Sequence, residues 1–159
     1  MQPTTFEYIR IITTPLGDMI AAADENAIIS LDFTEDASHL QNSDLPLLLR
    51  LEEELSEYFE GKRKTFTLPL NPQGTPFQKR VWETLCTIGY GETISYAQEA
   101  EQFGNPKAIR AVASANGRNP IAIVIPCHRV IATGGGLGGY SGGVEKKAFL
   151  LELERRVLD

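Results

Sequence analysis

A thiol, an imidazole and a guanidinium follow one another at Cys127, His128 and Arg129, directly behind Pro126. A thiol attacks only as the thiolate, and cationic neighbours or a base lower the cost of forming it. His128 can take that proton, directly or through a water, when an acid orients its other ring nitrogen. The residue types alone leave two roles open, because a free cysteine is also a small hydrophobe that cores bury, and a lone histidine or arginine is often structural. Cys86, beside Leu85 and one helical turn past Trp82, has no histidine near it in sequence and reads as a buried small hydrophobe. Two cysteines so far apart make a poor disulfide framework for a chain of 159 residues, so both are expected as free thiols. With His39 and His128 the only histidines and no paired Cys/His spacing, no bound metal is expected.

The elements that would position these side chains follow from the pattern upstream. The continuous apolar, largely β-branched run 121–125 predicts a buried strand or extended segment that delivers Pro126 to Arg129. Thr75 with Pro76 predicts a helix start, and Phe77, Val81, Leu85 and Ile88 share one face before Gly89-Tyr90-Gly91 ends it. Ser95 and Gln98 have capping-box spacing for a second helix that ends near Phe103-Gly104. Asn105 and Pro106 open a third, over 106–116, closed by Gly117. Three short helices with tight turns predict a helix-turn-helix. On the third helix Ile109, Val112 and Asn116 form the core stripe, while Ala111, Ser114 and Ala115 leave most of the rest nearly bare. Only Lys107 and Arg110 reach outward with donors, so the helix suits a close approach in the minor groove better than major-groove reading.

The net charge of −6 argues against a nucleic-acid partner until its distribution is considered. Residues 1–72 carry a net −8 and residues 73–159 a net +2. No acidic residue occurs over 102–144, where Lys107, Arg110, Arg118 and Arg129 lie, and a patch without carboxylates is where an anion can dock. The turn formers at Leu70-Asn71-Pro72-Gln73-Gly74 mark a domain boundary. Before it, the segments 6–12, 19–23 and 27–33 read as short antiparallel strands, 45–59 as an amphipathic helix and 64–70 as a further alternating segment. The expectation is an α+β N-terminal domain over 1–72 and a mainly helical domain over 73–159. No basic leader opens the chain, and no run approaches the roughly 20 apolar residues of a membrane span, so a cytoplasmic protein with no membrane association is expected.

The run Ile125-Pro126-Cys127-His128-Arg129-Val130, followed by Tyr140-Ser141-Gly142-Gly143, resembles the active-site signature of the O6-alkylguanine-DNA alkyltransferases, also called methylated-DNA-protein-cysteine methyltransferases. Gly91-Glu92-Thr93-Ile94-Ser95-Tyr96, Gly104-Asn105-Pro106-Lys107-Ala108, Arg110-Ala111-Val112 and Asn119-Pro120 fall in the family's order and spacing, so the resemblance covers 73–154. It implies a ribonuclease H-like N-terminal domain and a winged helix-turn-helix. It also implies irreversible, single-turnover transfer of an alkyl group from O6-alkylguanine, and from O4-alkylthymine, in duplex DNA to Cys127, without cofactor. By the same resemblance His128 is the base acting through a water, Glu154 the acid that holds it, and Asn119 the hinge that ties the turns around the site. Tyr96 is the donor at the departing O6, and Ser141 a hydroxyl near the base. The target atom lies inside the duplex, so the base is flipped out. Arg110 matches the finger that takes its place, with Ser95, Lys107, Ala111, Ser114 and Arg118 as further DNA contacts. The implied partner is alkylated double-stranded DNA, bound by a monomer and with room for cooperativity along the strand.

This chain departs from the family in two respects. It lacks the zinc ligands of the mammalian N-terminal domain, and Gly139 stands before Tyr140 where a larger residue is frequent, which bears on the bulk of alkyl group admitted. The glycine run 134–139 lacks the Lys-Ser/Thr of a nucleotide site and reads as a tight curl of chain around the pocket. Two other readings stand beside the transferase. A non-catalytic binder of alkylated DNA commonly has Trp where this chain has Cys127. A cysteine hydrolase would leave the Arg110 helix and the acid-free segment without a role.

Overall fold

The computed structural model describes residues 7–36 and 41–158, so His39 lies outside the described residues. The chain divides into two compact units, Met1–Pro72 and Gln73–Asp159. In the first, β1 (Tyr8–Thr14), β2 (Gly17–Ala23) and β3 (Ile28–Phe33) form an antiparallel meander in the order β1-β2-β3. Gly17, at φ +113°, closes the first turn in a conformation that favours glycine. One face of α1 (Pro46–Phe59) buries Leu48, Leu51, Leu55 and Tyr58, and the helix packs on β1 and β2. Residues 64–70 do not form a strand. A single parallel bridge joins Ile28 to Leu70, and Thr67 instead gives its N–H and hydroxyl to the buried carboxylate of Glu54.

The second unit opens with α2 (Pro76–Leu85) and α3 (Tyr96–Phe103), and both begin in a complete capping box, Thr75 with Gln78 and Ser95 with Gln98. Gly104, at φ +107°, ends α3. The next helix, α4 (Ile109–Gly117), starts three residues later than its sequence signals predict. Asn105 spends its side chain on the N–H of Lys107 and its carbonyl on Ala108, which makes a turn around Pro106 and no helix cap. Ile109 thereby falls on the first turn and is 39% exposed, outside the core stripe that Val112 and Asn116 do join. Helices α2, α3 and α4 pack on one another, and the indole N–H of Trp82 donates to the carbonyl of Ala115 at 2.9 Å.

The run 121–125 is buried as its composition requires but is not extended. It winds through turns closed by Val124 N–H to Ala122 O (2.8 Å) and Ile125 N–H to Ile121 O (3.0 Å), with Ile123 at φ +71°. A β-branched residue there is a strained outlier that only its surroundings can enforce. A 3₁₀ turn, Cys127–Arg129, follows, then β5 (Val130–Ile131), which pairs in parallel with β4 (Ile94–Ser95) at the start of α3. Helix α5 (Val144–Leu158) completes the unit.

Candidate active site and nucleic-acid interface

Asn119 builds the turn that holds Cys127. Its Oδ1 accepts from the N–H of Ile121 (2.9 Å), while its Nδ2 donates to the carbonyl of Ile125 (2.8 Å) and to Cys127 Sγ (3.3 Å). One side chain thus ties both ends of the 121–125 turn and places a donor on the sulfur. Cys127 is only 8% exposed. Burial pushes its thiol above the ordinary range, and the Asn119 hydrogen bond and the charge of Lys147 oppose that shift. The resting group is therefore a thiol, and a thiolate there needs a base.

His128 is wholly buried, and its Nε2 lies 2.8 Å from Glu154 Oε2. Burial of Glu154 alone would raise its carboxyl, but hydrogen bonds from His128 and Arg129 prevail and hold it at about 2. A carboxylate can only accept, so His128 Nε2 donates. Burial also lowers the His128 pKa, which keeps the ring neutral. Nδ1 is then a bare lone pair, and it has no hydrogen-bond partner among the described residues. That is the electronic state of a general base. Arg129 is buried and committed, with Nε to Glu154 Oε1 (2.9 Å), Nη2 to Oε2 (3.0 Å) and Nη1 to the carbonyl of Ile88 (2.7 Å). It supports the acid and is not available to the basic patch where its sequence position put it. The N–H of Gly91 gives Glu154 a further bond at 3.1 Å.

Lys147 is a participant that the sequence pattern hides. It is fully buried, and its Nζ donates to the carbonyls of Val130 (2.6 Å) and Gly139 (3.0 Å). The glycine run is thus pinned to β5. Its charge acts on Cys127 in the direction that favours the thiolate. On a helix where acidic and basic residues mix, nothing marks this lysine from its solvated neighbours. Cys86, read as buried, sits exposed at the C-terminal end of α2, because Leu85 takes the last core position and the helix stops there.

Tyr96 opens α3, half-buried, with its phenol under the glycine run and its ring 5.8 Å from Lys147 Nζ. Burial raises its pKa, so the hydroxyl keeps its proton and can give it. Gly138, at φ +73°, comes so close that a Cβ there would lie 2.6 Å from Tyr96 Oη. The tight curl expected of 134–139 is thus wrapped over this tyrosine. Ser95 spends its hydroxyl oxygen as the cap of α3, and Ser141 is exposed on the turn before α5.

The opposite side of α4 presents Arg110, Ala111, Ser114, Gly117 and Arg118 to solvent, with Lys107 just ahead of it. These are two long cations and one lysine around a nearly bare surface, with no acidic residue over 102–144 to repel phosphate.

Two family models match the chain: "6-O-methylguanine DNA methyltransferase, ribonuclease-like domain" over residues 8–72 and "6-O-methylguanine DNA methyltransferase, DNA binding domain" over residues 76–156. The constitutive methylated-DNA–protein-cysteine methyltransferase of Bacillus subtilis is 46% identical over 157 residues, covering 93% of this chain and 95% of that protein. The methylated-DNA–protein-cysteine methyltransferase of Methanosarcina mazei is 45% identical over 158 residues, covering 95% and 99%. Among solved structures, that of Mycobacterium tuberculosis OGT in complex with DNA superposes with a TM-score of 0.86 at 43% identity, covering 94% of this chain and 93% of that one.

Proposed function

The chain belongs to the 6-O-methylguanine DNA methyltransferase family, and from that premise we propose that Cys127 is the alkyl acceptor in a single-turnover repair of O6-alkylguanine. The protein repairs methylated DNA by direct transfer of the alkyl group to a cysteine of its own chain, and its partner is DNA. The observation that carries the assignment to Cys127 is the bare, buried Nδ1 of His128, whose other nitrogen is committed to Glu154. Cys86 has no histidine near it in sequence and sits exposed at the end of α2.

In the reaction the Cys127 S–H proton passes through a water to His128 Nδ1, and the imidazolium is stabilised by Glu154. Sulfur then attacks the alkyl carbon in line with O6, so that an S–C bond forms as the C–O6 bond breaks. The guanine leaves as an anion unless it is protonated, and Tyr96 Oη is the donor that lowers this barrier. The thioether product has no base-assisted route back, so each molecule acts once. Asn119 releases its hold on sulfur as the thiolate lone pair is used. The duplex is met by α4 in the minor groove, with Ala111 and Ser114 permitting close approach and Arg110 filling the stack behind a flipped base. Lys107 and Arg118 meet phosphate, and Ser95 and Ser141 lie beside the flipped nucleotide. We take the chain to work as a monomer in the cytoplasm, with O4-alkylthymine as a second substrate; no described helix is long and apolar enough to cross a membrane.

Incubation with a duplex that holds one O6-methylguanine, followed by intact-protein mass measurement, tests the assignment. Addition of one methyl group that is lost in Cys127→Ala and kept in Cys86→Ala is expected. DNA binding without any mass gain would instead favour a lesion-binding protein without catalysis. Arg110→Ala is expected to slow repair in duplex while leaving transfer from the free methylated base unchanged, and equal rates in duplex would remove the finger role.

A further inference from the structure

Glu99 is the third residue after Tyr96 on α3, and it is wholly buried. Its Oε1 accepts from Nδ2 of Asn116, on the last turn of α4, at 2.7 Å. The two remaining oxygens of this pair, Glu99 Oε2 and Asn116 Oδ1, are both buried and have no hydrogen-bond partner among the described residues. Two bare acceptors on one buried pair are a costly arrangement if the carboxyl is ionised, since a carboxylate can only accept. A single proton on Oε2 removes both vacancies of bonding at once.

We propose that Glu99 works as a neutral carboxylic acid, donating from Oε2 to Asn116 Oδ1 while accepting from Asn116 Nδ2, and that this closed two-bond clamp fixes α4 and its Arg110 against α3. Burial moves the carboxyl in the required direction, up to about 7, with the bond from Asn116 pulling the other way. Burial and the Asn116 bond are what act on its carboxyl, while the nearby cation Lys147, 5.8 Å from the Tyr96 ring, is bonded to the carbonyls of Val130 and Gly139. Tyr96 on its own helix and Cys127 on the 3₁₀ turn are the titratable groups coupled to it, and both are acids. Of the elements packed on α3, α4 contributes Asn116, β4 and β5 (Ile94–Ser95 and Val130–Ile131) contribute no titratable side chain, and on α2 Arg80 is turned to the ring and carbonyl of Phe103 at the far end of α3. A neutral Glu99 also spares the Cys127 thiolate a second buried negative charge, since an ionised Glu99 raises that thiol. Glu99 is thus a positioning residue. As pH rises through about 7 the clamp opens and α4 loosens.

The inference needs the repair reading only for its DNA arm, so the first measurement is independent of activity. Carbon NMR titration of side-chain carboxyls in the whole chain, with Glu99→Gln to assign the signal, should show Glu99 protonated well above the ordinary carboxylate range; titration within that range overturns the clamp. The second compares duplex binding by Cys127→Ala with that by Cys127→Ala/Glu99→Gln at about pH 6 and about pH 8.5, since a glutamine keeps both bonds without a titrating group. The ratio of the two affinities should start near one and shift in favour of the double variant by about two- to tenfold, the range that one lost hydrogen bond spans. A ratio that stays constant with pH overturns the link between Glu99 and α4. Glu99→Leu, which cannot bond Asn116, should bind worse than Glu99→Gln at both pH values, and equal binding also counts against the clamp.

Discussion

Replacing Glu154 by glutamine removes one charge from a site where four donors converge, and the consequence can be sized. Its carboxyl is held at about 2 in place of the ordinary 4.5, and each factor of ten in that preference is worth about 1.4 kcal/mol, so ionised Glu154 contributes about 3 kcal/mol to folding at neutral pH. Much of that figure is the Arg129 pair, which the substitution leaves buried against a neutral amide, and breaking a buried ion pair from one side costs about 3–5 kcal/mol, a consistent size and not an addition. In a chain of this size about 3 kcal/mol lowers the melting temperature by about 6–12 °C. Because the folded pKa is depressed, the contribution is present above pH 4.5 and is lost as pH falls through about 2. Urea unfolding of wild type and Glu154→Gln at neutral pH, and again near pH 3, should therefore show a large gap that narrows on acidification. Methyl transfer should fall as well, because a glutamine can present its N–H₂ to His128 and no longer fixes which ring nitrogen is bare. A variant within about 1 kcal/mol of wild type at neutral pH would refute the view that this carboxylate is the electrostatic keystone of the site.

Lys147→Met keeps the volume but leaves the carbonyls of Val130 and Gly139 without their donor, at a cost of about 1–3 kcal/mol partly offset by relief of a buried charge. Limited proteolysis within 134–139 should accelerate, and an unchanged cleavage rate would count against the pinning role. Gly138→Ala places a methyl 2.6 Å from Tyr96 Oη and forces an L-residue to φ +73°, whereas Gly136→Ala meets only Ala132 Cβ at 3.7 Å. The first should cost about 1–3 kcal/mol in stability and slow methyl transfer at least tenfold, with the second near wild type in both; equal behaviour of the two would dismiss the wrap around the tyrosine.

Much of the second unit is legible in the sequence because its signals are local. Thr75 with Pro76 starts α2, Ser95 with Gln98 forms a capping box as written, and Gly104 ends α3, while the Gln78 half of the α2 box is seen only in the structure. Local signals also mislead where a side chain has a stronger use elsewhere. Asn105 and Pro106 have the grammar of a helix start, but the asparagine closes a turn, and the 121–125 run has strand composition, but Asn119 folds it back on itself. The partners of the site are not local at all. Cys127 and His128 stand side by side in sequence, yet the carboxylate that holds His128 comes from α5, and no spacing in the sequence points to Glu154; only the family resemblance does. Lys147 and Glu99 leave no trace, because what distinguishes a buried charge from a solvated one is the far side of the fold. Asn116 was legible as a core position on α4, and a polar residue on an apolar stripe is the one hint that a buried partner awaited it.

Trp82 is the single tryptophan of the chain, 2% exposed, and its indole N–H is bonded to the carbonyl of Ala115 inside α4. The molecule therefore carries its own optical probe at the joint between α2 and α4. Indole emission shifts with the polarity around the ring and with the loss of that bond, so steady-state fluorescence reads the seating of α4 without a label. Stopped-flow mixing with duplex would follow that helix in real time, and on the proposed mechanism would distinguish DNA docking from the transfer to Cys127.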